Sequence, residues 1–306
     1  MTLRLGTRGS DLARAQAQTI AARLDAEGLP TELTIIRTSG DLAPAASFAS
    51  IGPQGVFVRE IEQAVLDGSV DLAVHSFKDL PTRSPAELVI AAVPARLDAA
   101  DVLVVKTGSY AKDRDALLPL AEGAHVGTAS ARRRVWLKHF RPDLTVDALR
   151  GNVPTRVKRL KNGDCDAILL AAAGIERLRA STAVLDEPLA GLKVVRLDPR
   201  RFVPAPAQGA LAVQCRRDRA DVVAALARLD DAPSRLAVEA ERDVLARAEG
   251  GCEIAFGAHC YSVDGGFGLI AMLERGGRVV TTAARGRDAR ALGELAWRSI
   301  TTMAIP

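Results

Sequence analysis

The stretch that decides the fold is Asp71-Leu-Ala-Val-His-Ser-Phe-Lys-Asp-Leu-Pro-Thr82, in which an apolar run ends abruptly in polar residues. Leu72 to Val74 are apolar in succession, which is typical of a strand covered on both faces in a parallel sheet, and Pro81 would end it. Ligands of open α/β sheets bind outside the carboxyl ends of the strands, so Asp79 is the first candidate for chemistry. The competing interpretation is a solvated turn in which Lys78 and Asp79 form an ordinary surface pair.

Strands and helices alternate on both sides of this stretch. Apolar residues recur at helical spacing from Ala13 to Leu24, between predicted strands at Leu3 to Gly6 and Leu33 to Thr38. The same alternation restarts at Asp101 and continues to about Leu170. Strand, helix and strand in repeated order are the signature of a doubly wound α/β layer, so the sequence predicts two α/β domains of similar plan.

The length of 306 residues suggests two or three domains with hydrophobic cores. We predict two similar doubly wound α/β domains, periplasmic-binding-protein-like in plan, and a smaller α+β C-terminal domain of helices and Gly-rich hairpin strands. The predicted boundaries are 1–97 with 200–216 for the first domain, 98–199 for the second and 217–306 for the third. Residues 39–55 form a long loop rich in Ala, Ser, Gly and Pro, which we interpret as a lid.

Composition argues against a disordered or fibrous protein. Hydrophobic residues make up 48% and charged residues 25%, both near the averages of globular proteins. No apolar run is long enough to span a bilayer, and the N-terminus lacks a signal peptide, so we expect a cytoplasmic protein that does not bind membranes. The four cysteines form no Cys-x-x-Cys pair and the four histidines are scattered, which argues against a metal site. His75, beside an apolar strand, is interpreted as a core histidine.

Positive charge is concentrated in one region. Residues 126–161 hold ten Lys or Arg and two Asp, whereas the whole chain holds 41 basic and 37 acidic residues. A predicted strand there turns through Gly127 and Ser130 into a helix, and a helix N-terminus beside hydroxyl and guanidinium groups binds anions. Further arginines stand at other strand ends, and we expect them all to open into one cleft that binds carboxylates. The basic residues of these junctions are Arg8, Arg132, Arg133, Arg150, Arg156 and Arg177.

Two simpler interpretations of this basic region remain open from the residues alone. Any single arginine there is explained by a basic helix face in solvent. Nucleic acid would also suit such a patch, but only Trp136 and Phe140 are interleaved with the charges, and no helix-turn-helix, zinc or RNA-binding signature accompanies them. We therefore predict that nucleic acid is not a partner.

A second candidate for chemistry is Gly250-Gly-Cys-Glu253, which follows a predicted helix of the third domain. Two glycines beside Cys252 would let the backbone turn sharply and expose the thiol. A lone cysteine is more often a small buried hydrophobic residue, and spacing alone does not decide between the two.

Taken together, the motifs resemble those of the porphobilinogen deaminase family. The resemblance covers most of the chain and weakens after about Gly257. It rests on Leu5-Gly-Thr-Arg-Gly-Ser10, Gly55-Val-Phe-Val-Arg-Glu60, Ala73-Val-His-Ser-Phe-Lys-Asp79, Val126-Gly-Thr-Ala-Ser-Ala-Arg-Arg133, Leu149-Arg-Gly-Asn-Val153, Pro204-Ala-Pro-Ala-Gln-Gly209 and Gly250-Gly-Cys252.

The resemblance implies a transferase that condenses four porphobilinogen molecules head to tail, with release of ammonia, to give hydroxymethylbilane. It implies that Cys252 carries a dipyrromethane cofactor through a thioether and that Asp79 is the catalytic carboxylate, which would stabilise a cationic azafulvene. The implied cofactor-binding residues are Cys252, Lys78, Ser130, Arg132 and Arg133. The implied substrate-binding residues are Arg8, Ser10, Arg150, Arg156 and Arg177.

Four positions depart from the usual pattern of the family. Gly52-Pro-Gln-Gly55 stands where Gly-Gly-Lys-Gly is common, Ala129 replaces a frequent serine, and Ala255 stands where proline is usual. The alternative function is a two-lobed module that binds an anionic solute or effector without catalysis, which predicts no covalent group on Cys252. We expect a monomer, because no candidate interface helix is found.

Overall fold

The structure is a computed structural model that describes residues 2–38, 58–181, 185, 189–248 and 255–303. The predicted lid at 39–55 and Cys252 lie outside the described residues. The chain forms two compact units. Unit 1 comprises Met1–Leu97 and Gly209–Arg235, and unit 2 comprises Asp98–Gln208 and Leu236–Pro306.

Strands and helices alternate through both units. In chain order they are β1 (Leu3–Arg8), α1 (Asp11–Ala26), β2 (Thr31–Ile36), α2 (Arg59–Leu66), β3 (Leu72–Ser76), β4 (Leu88–Ala92), β5 (Asp101–Lys106), β6 (His125–Gly127), α3 (Ala131–Phe140), β7 (Thr145–Asp147), α4 (Val153–Lys161), β8 (Ala167–Ala171), α5 (Ala172–Ser181), β9 (Leu192–Arg196), β10 (Leu211–Arg216), α6 (Ala220–Ala227), α7 (Ala232–Ala248), β11 (Phe256–Val263), β12 (Gly266–Arg275), β13 (Arg278–Gly286) and α8 (Ala289–Met303). No helix among these residues is long and apolar enough to cross a membrane.

Unit 1 is built on a five-stranded sheet in the order β2-β1-β3-β10-β4. Strand β1 runs parallel to β2 and β3, and β10 runs antiparallel to both β3 and β4. The helical spacing from Ala13 to Leu24 is confirmed, since Ala17, Ile20 and Leu24 of α1 are buried in the core of this sheet. At the start of α1 the Ser10 Oγ accepts a hydrogen bond from Ala13 N at 3.3 Å, which caps the helix.

Unit 2 repeats this plan in a sheet of order β7-β6-β8-β5-β9. Strand β6 runs parallel to β7 and β8, and β5 runs antiparallel to β8 and β9. Each five-stranded sheet therefore has three parallel strands, one reversed strand and one further edge strand. The predicted α/β class, with two similar domains of this kind, is confirmed.

The same kind of side-chain contact occurs separately within each five-stranded sheet, at equivalent strands. In unit 1 the Asp71 carboxylate accepts a hydrogen bond from Arg4 N at 2.9 Å, while Asp71 N donates to Arg4 O at 2.8 Å. In unit 2 the Asp166 carboxylate accepts from His125 N at 2.9 Å, while Asp166 N donates to His125 O at 2.8 Å. An aspartate before the central strand thus fixes the register of that strand against a parallel neighbour, β1 in unit 1 and β6 in unit 2.

A third sheet, the antiparallel meander β11-β12-β13, lies in unit 2. One of its faces packs against α7 and α8 in a core that includes Val244, Leu269 and Ile300. Ile270 and Met272 of β12 belong instead to the core of the five-stranded sheet. This shared core is the physical reason why the meander groups with unit 2.

The contacts also assign two segments differently from the sequence boundaries. Residues 200–208 belong to unit 2 and residues 217–235 to unit 1, whereas the sequence assigned them to the first and third domains. The division into three domains stays a prediction.

Candidate active site

The tip of β3 presents Lys78 and Asp79 on a single 3-10 turn, Phe77–Asp79. Phe77 and Leu80 are buried on either side, and Phe77 N donates to Ala210 O at 3.1 Å, so the turn is held at both ends. Asp79 is exposed and Lys78 half-buried. Within the described part of the chain the Asp79 carboxylate makes no hydrogen bond or ion pair, so the ordinary surface pair with Lys78 is not formed there.

Gln16 supports this tip from α1, and sequence reasoning missed it. Gln16 is buried, and its Nε2 donates to Ser76 Oγ at 2.8 Å, immediately before the 3-10 turn. The signal that would have found it is a polar residue between Ala13 and Ala17 on the apolar face of the helix. A buried polar side chain on such a face requires a partner.

His75 is a core histidine, as the sequence predicts. It is buried in β3, and its Nε2 lies 3.0 Å from Gln214 Oε1. The Gln214 amide in turn donates from Nε2 to Glu62 Oε1 at 2.9 Å, so its oxygen must be an acceptor for the imidazole N–H. Burial lowers the pKa of His75 to about 4, so the ring is neutral at pH 7. Its role is to join β3, β10 and α2.

In unit 2 the side chains of Arg132 and Arg133, here called the arginine pair, converge on Asp101. This carboxylate is 0% exposed. Arg132 Nη2 donates to Asp101 Oδ2 at 2.8 Å, and Arg133 Nη2 donates to Oδ1 at 2.7 Å. Burial alone would raise the pKa of Asp101, but the charges of the arginine pair hold it well below its usual range. Asp101 is therefore ionised and neutralises part of the arginine pair's charge.

Each side chain of the arginine pair also donates to a backbone carbonyl. Arg132 Nη1 donates to Val203 O and Arg133 Nη1 to Leu169 O, both at 2.8 Å. Sequence reasoning missed Asp101. The signal that would have found it is an acidic residue at the start of the apolar strand β5, because a buried carboxylate needs a buried partner. The predicted role of the arginine pair in binding the cofactor stays a prediction, and the structure adds that both side chains also hold the fold together.

Arg156 lies beside this cluster in the first turn of α4. Its Nε donates to Gly151 O at 2.7 Å. Burial, and then the charge of Arg133, lower the pKa of Arg156. No carboxylate of the described residues pairs with this guanidinium, so three cations stand against the single carboxylate of Asp101. An anion placed here would meet an uncompensated positive charge.

Ser130 begins the helix that carries the arginine pair. Its Oγ accepts from Arg133 N at 3.4 Å, and its own N donates to Thr128 Oγ1 at 3.3 Å. A Cβ at Gly127 would lie 2.9 Å from the Leu149 side chain. Only glycine therefore lets the end of β6 lie this close to Leu149 before the chain turns into α3. The helix predicted to follow Ser130 is confirmed, with Ser130 as its N-cap, and the cofactor-binding role of Ser130 stays a prediction.

Of the other predicted site residues, Arg8 and Arg150 follow strands, whereas the placement of Arg177 at a strand end is wrong, because it lies six residues beyond β8 inside α5. Arg8 ends β1 and is partly buried, whereas Arg150 is exposed after β7. Arg177 is buried on α5, where burial lowers the pKa of its guanidinium to about 10. Arg8, Ser10, Lys78 and Asp79 belong to unit 1 and the other described candidates to unit 2. Their opening into one common cleft stays a prediction.

These features define a class of protein: an α/β protein with clustered arginines after its strands and an exposed carboxylate at the tip of β3. Comparison with known proteins narrows the class. Residues 3–224 match the family model described as "Porphobilinogen deaminase, dipyromethane cofactor binding domain". The chain belongs to the porphobilinogen deaminase family, so the predicted resemblance is confirmed, and it is an enzyme.

Two relatives show how much of the chain the similarity covers. Porphobilinogen deaminase of Syntrophobacter fumaroxidans is 42% identical over 273 residues, which are 89% of this chain and 84% of that protein. Porphobilinogen deaminase of Cutibacterium acnes is 47% identical over an alignment of 269 residues that covers 84% of this chain and 76% of that protein. The periplasmic VFT2 domain of Bordetella pertussis BvgS has a TM-score of 0.43 and 15% identity, covering 74% of this chain and 86% of that domain, which is too distant to say anything of function.

Proposed function

We propose that this enzyme condenses four porphobilinogen molecules head to tail, with release of ammonia, on a covalently bound dipyrromethane primer, giving hydroxymethylbilane. The observation that carries the proposal is that cations outnumber carboxylates where helices α3 and α4 begin: Arg132, Arg133 and Arg156 stand against Asp101 alone. Each ring of the growing chain carries two carboxylates, which such turns would bind. A module that binds an anionic solute without catalysis is not favoured, because the relatives are enzymes.

The residues present fit a dipyrromethane group. Its acetate and propionate groups are anions, and Arg156 supplies a charge that no described carboxylate neutralises. Lys78, Ser130 and the arginine pair would hold these carboxylates, the arginine pair acting mainly through its charge because its Nη groups already donate within the fold. When bound through Cys252, the group supplies the pyrrole position to which the first substrate is joined.

Asp79 would act on the substrate at its pyrrole nitrogen. Its carboxylate would accept a hydrogen bond from that nitrogen and stabilise the positive charge that develops as ammonia leaves. The buried neighbours Phe77 and Leu80 fix the backbone of the 3-10 turn that carries Asp79. Arg8, Ser10, Arg150, Arg156 and Arg177 would hold the carboxylates of substrate and product.

Intact mass spectrometry tests the proposal. Protein from a host that makes the cofactor should weigh more than its sequence by one dipyrromethane linked as a thioether, and peptide mapping should place the addition on Cys252. Cys165, Cys215 and Cys260 are buried and serve as internal controls. Protein of unmodified mass from such a host would contradict the proposal and favour the binding module.

Two finer expectations belong with this proposal. The enzyme would act in the cytoplasm as a monomer, with porphobilinogen as its small-molecule partner. It would bind neither nucleic acid nor membrane. No group of His, Cys, Asp and Glu side chains suited to a metal ion is found among the residues that the structure describes.

Arg156→Gln should raise the KM for porphobilinogen about 10- to 100-fold and lower kcat much less, since one hydrogen bond to a charged group is lost. Steady-state kinetics measures both constants. Arg159→Gln is the matched control, because Arg159 lies on the same helix and donates to Asp164 at 2.7 Å on the surface. An unchanged KM for the Arg156 variant would remove this residue from substrate binding.

A further inference from the structure

A β-turn at Ala205–Gln208 holds an alanine in a conformation that favours glycine. Gln208 N donates to Ala205 O at 3.0 Å, with Pro206 at the second position of the turn. Ala207, at the third position, has φ +61° and is the only non-glycine residue with positive φ in the described part of the chain. Proline followed by a residue of positive φ is the pattern of a type II turn, in which glycine normally takes the third position. Something outside the turn must hold Ala207 there.

Glu241, on helix α7, makes the contact that holds it. Its side chain is 0% exposed. Its Oε2 accepts from Ala207 N at 2.7 Å, and its Oε1 accepts from Cys260 N in β11 at 2.7 Å. His259 Nδ1 lies 3.5 Å from Oε1. Both carboxylate oxygens are therefore engaged by backbone N–H groups, and the turn is tied to α7 and β11 at once.

Gln208, the residue after Ala207, contacts Asp101, the carboxylate that binds the arginine pair. Gln208 is buried, and its Nε2 donates to Asp101 Oδ1 at 2.9 Å and to Ala99 O at 2.8 Å. The same Oδ1 accepts from Arg133 at 2.7 Å. Glu241 is thus connected to the arginine pair by hydrogen bonds at Ala207 and at Gln208, which are neighbours in the chain, and the charge of Arg133 acts on Arg156.

We propose that Glu241 is a positioning residue for the anion-binding arginines of unit 2. By holding Ala207 in the left-handed conformation, it keeps the Gln208 amide on Asp101. Asp101 then keeps the arginine pair oriented beside Arg156. The inference rests on the proposed function only in taking the bound anions to be the carboxylates of cofactor and substrate.

Three variants separate this role from simple stability. Glu241→Gln keeps the size of the side chain, but its amide nitrogen cannot accept, so one of the two backbone N–H groups loses its partner. Ala207→Gly lets the turn adopt positive φ without help. Glu239→Gln is the control, because Glu239 lies on the same helix and its carboxylate is 3.8 Å from Arg290 Nε near the surface.

Two measurements on the full chain carrying its cofactor test the role of Glu241. The first is the exchange of the Arg133 Nε–H with water by NMR, since this group donates to Asp101 Oδ1 at 3.2 Å. The second is the division of kinetic effects between KM and kcat. Glu241→Gln should speed the exchange and raise the KM for porphobilinogen by about tenfold each, as expected for one hydrogen bond lost. Adding Ala207→Gly should restore most of both, and Glu239→Gln should change neither.

Several results would overturn the inference. One is wild-type exchange and KM in Glu241→Gln. Another is a defect that Ala207→Gly does not restore, because Glu241 would then act by another route. If Glu241→Gln fails to fold while the double variant folds, the inference is supported, and if neither folds it is overturned. A wild-type enzyme without turnover would refute the proposed function alone, and the exchange measurement would still decide the role of Glu241.

Discussion

Asp79→Asn should leave the dipyrromethane cofactor attached and lower kcat by about 100- to 10,000-fold, the range over which a positioned acid or base contributes to catalysis. Asparagine has the same shape but carries no negative charge and cannot take up a proton. The cation formed as ammonia leaves would then lose its stabilising partner. Because Asp79 is exposed and its carboxylate makes no hydrogen bond or ion pair within the described residues, the variant should fold as the wild type does.

Single-turnover kinetics and intact mass together check this expectation. The mass shows whether the cofactor is loaded, so a slow variant that lacks it is not mistaken for a catalytic defect. Glu87→Gln is the matched control, since Glu87 is an exposed carboxylate of the same unit. Near-normal turnover in Asp79→Asn would remove Asp79 from the role of catalytic carboxylate.

Asp101→Asn should lower the free energy of unfolding by about 3–5 kcal/mol, the usual cost of removing one partner from a buried ion pair. Asparagine fits the space but leaves two buried guanidinium groups without a counter-charge. Urea unfolding of the variant should show an earlier midpoint. Asp164→Asn is the control, because Asp164 pairs with Arg159 at the surface and should change stability by less than about 1 kcal/mol.

The same variant has a distinctive pH dependence. The pKa of Asp101 is lower in the folded chain than its unfolded value of about 4. Its stabilising contribution is therefore fully present above about pH 4 and is lost as the pH falls toward the folded pKa. The difference in stability between wild type and Asp101→Asn should shrink as the pH falls below about 4. A constant difference down to low pH would mean that Asp101 does not stabilise the fold as a carboxylate.

Local patterns predicted much of this molecule because they depend on neighbours in the chain. The helical spacing from Ala13 to Leu24 produced α1, and α3 follows Ser130 where the sequence placed a helix. His75 is the buried histidine that an apolar strand predicts. The motifs were enough to identify the family, because each is a short run of consecutive residues and can be read without knowing the fold.

The boundaries of the compact units were harder to predict. Strand β10 lies between β3 and β4, so the chain returns to unit 1 only at Gly209, and α6 then packs in the same core. The meander groups with unit 2 because Ile270 and Met272 fill the core of the other sheet. Which face of a strand meets which sheet depends on distant packing, and strand alternation alone does not specify it.

By itself, the sequence determined the α/β class, the family, and the positions of Asp79 and the arginines at strand ends. Only the tertiary structure decided which of those arginines are already neutralised. Asp101 is 31 residues from Arg132 in sequence, and Glu241 is 34 residues from Ala207. Asp101 meets the arginine pair because β5 lies antiparallel beside β8, and the partner of a buried charge is set by strand neighbours that no local pattern specifies.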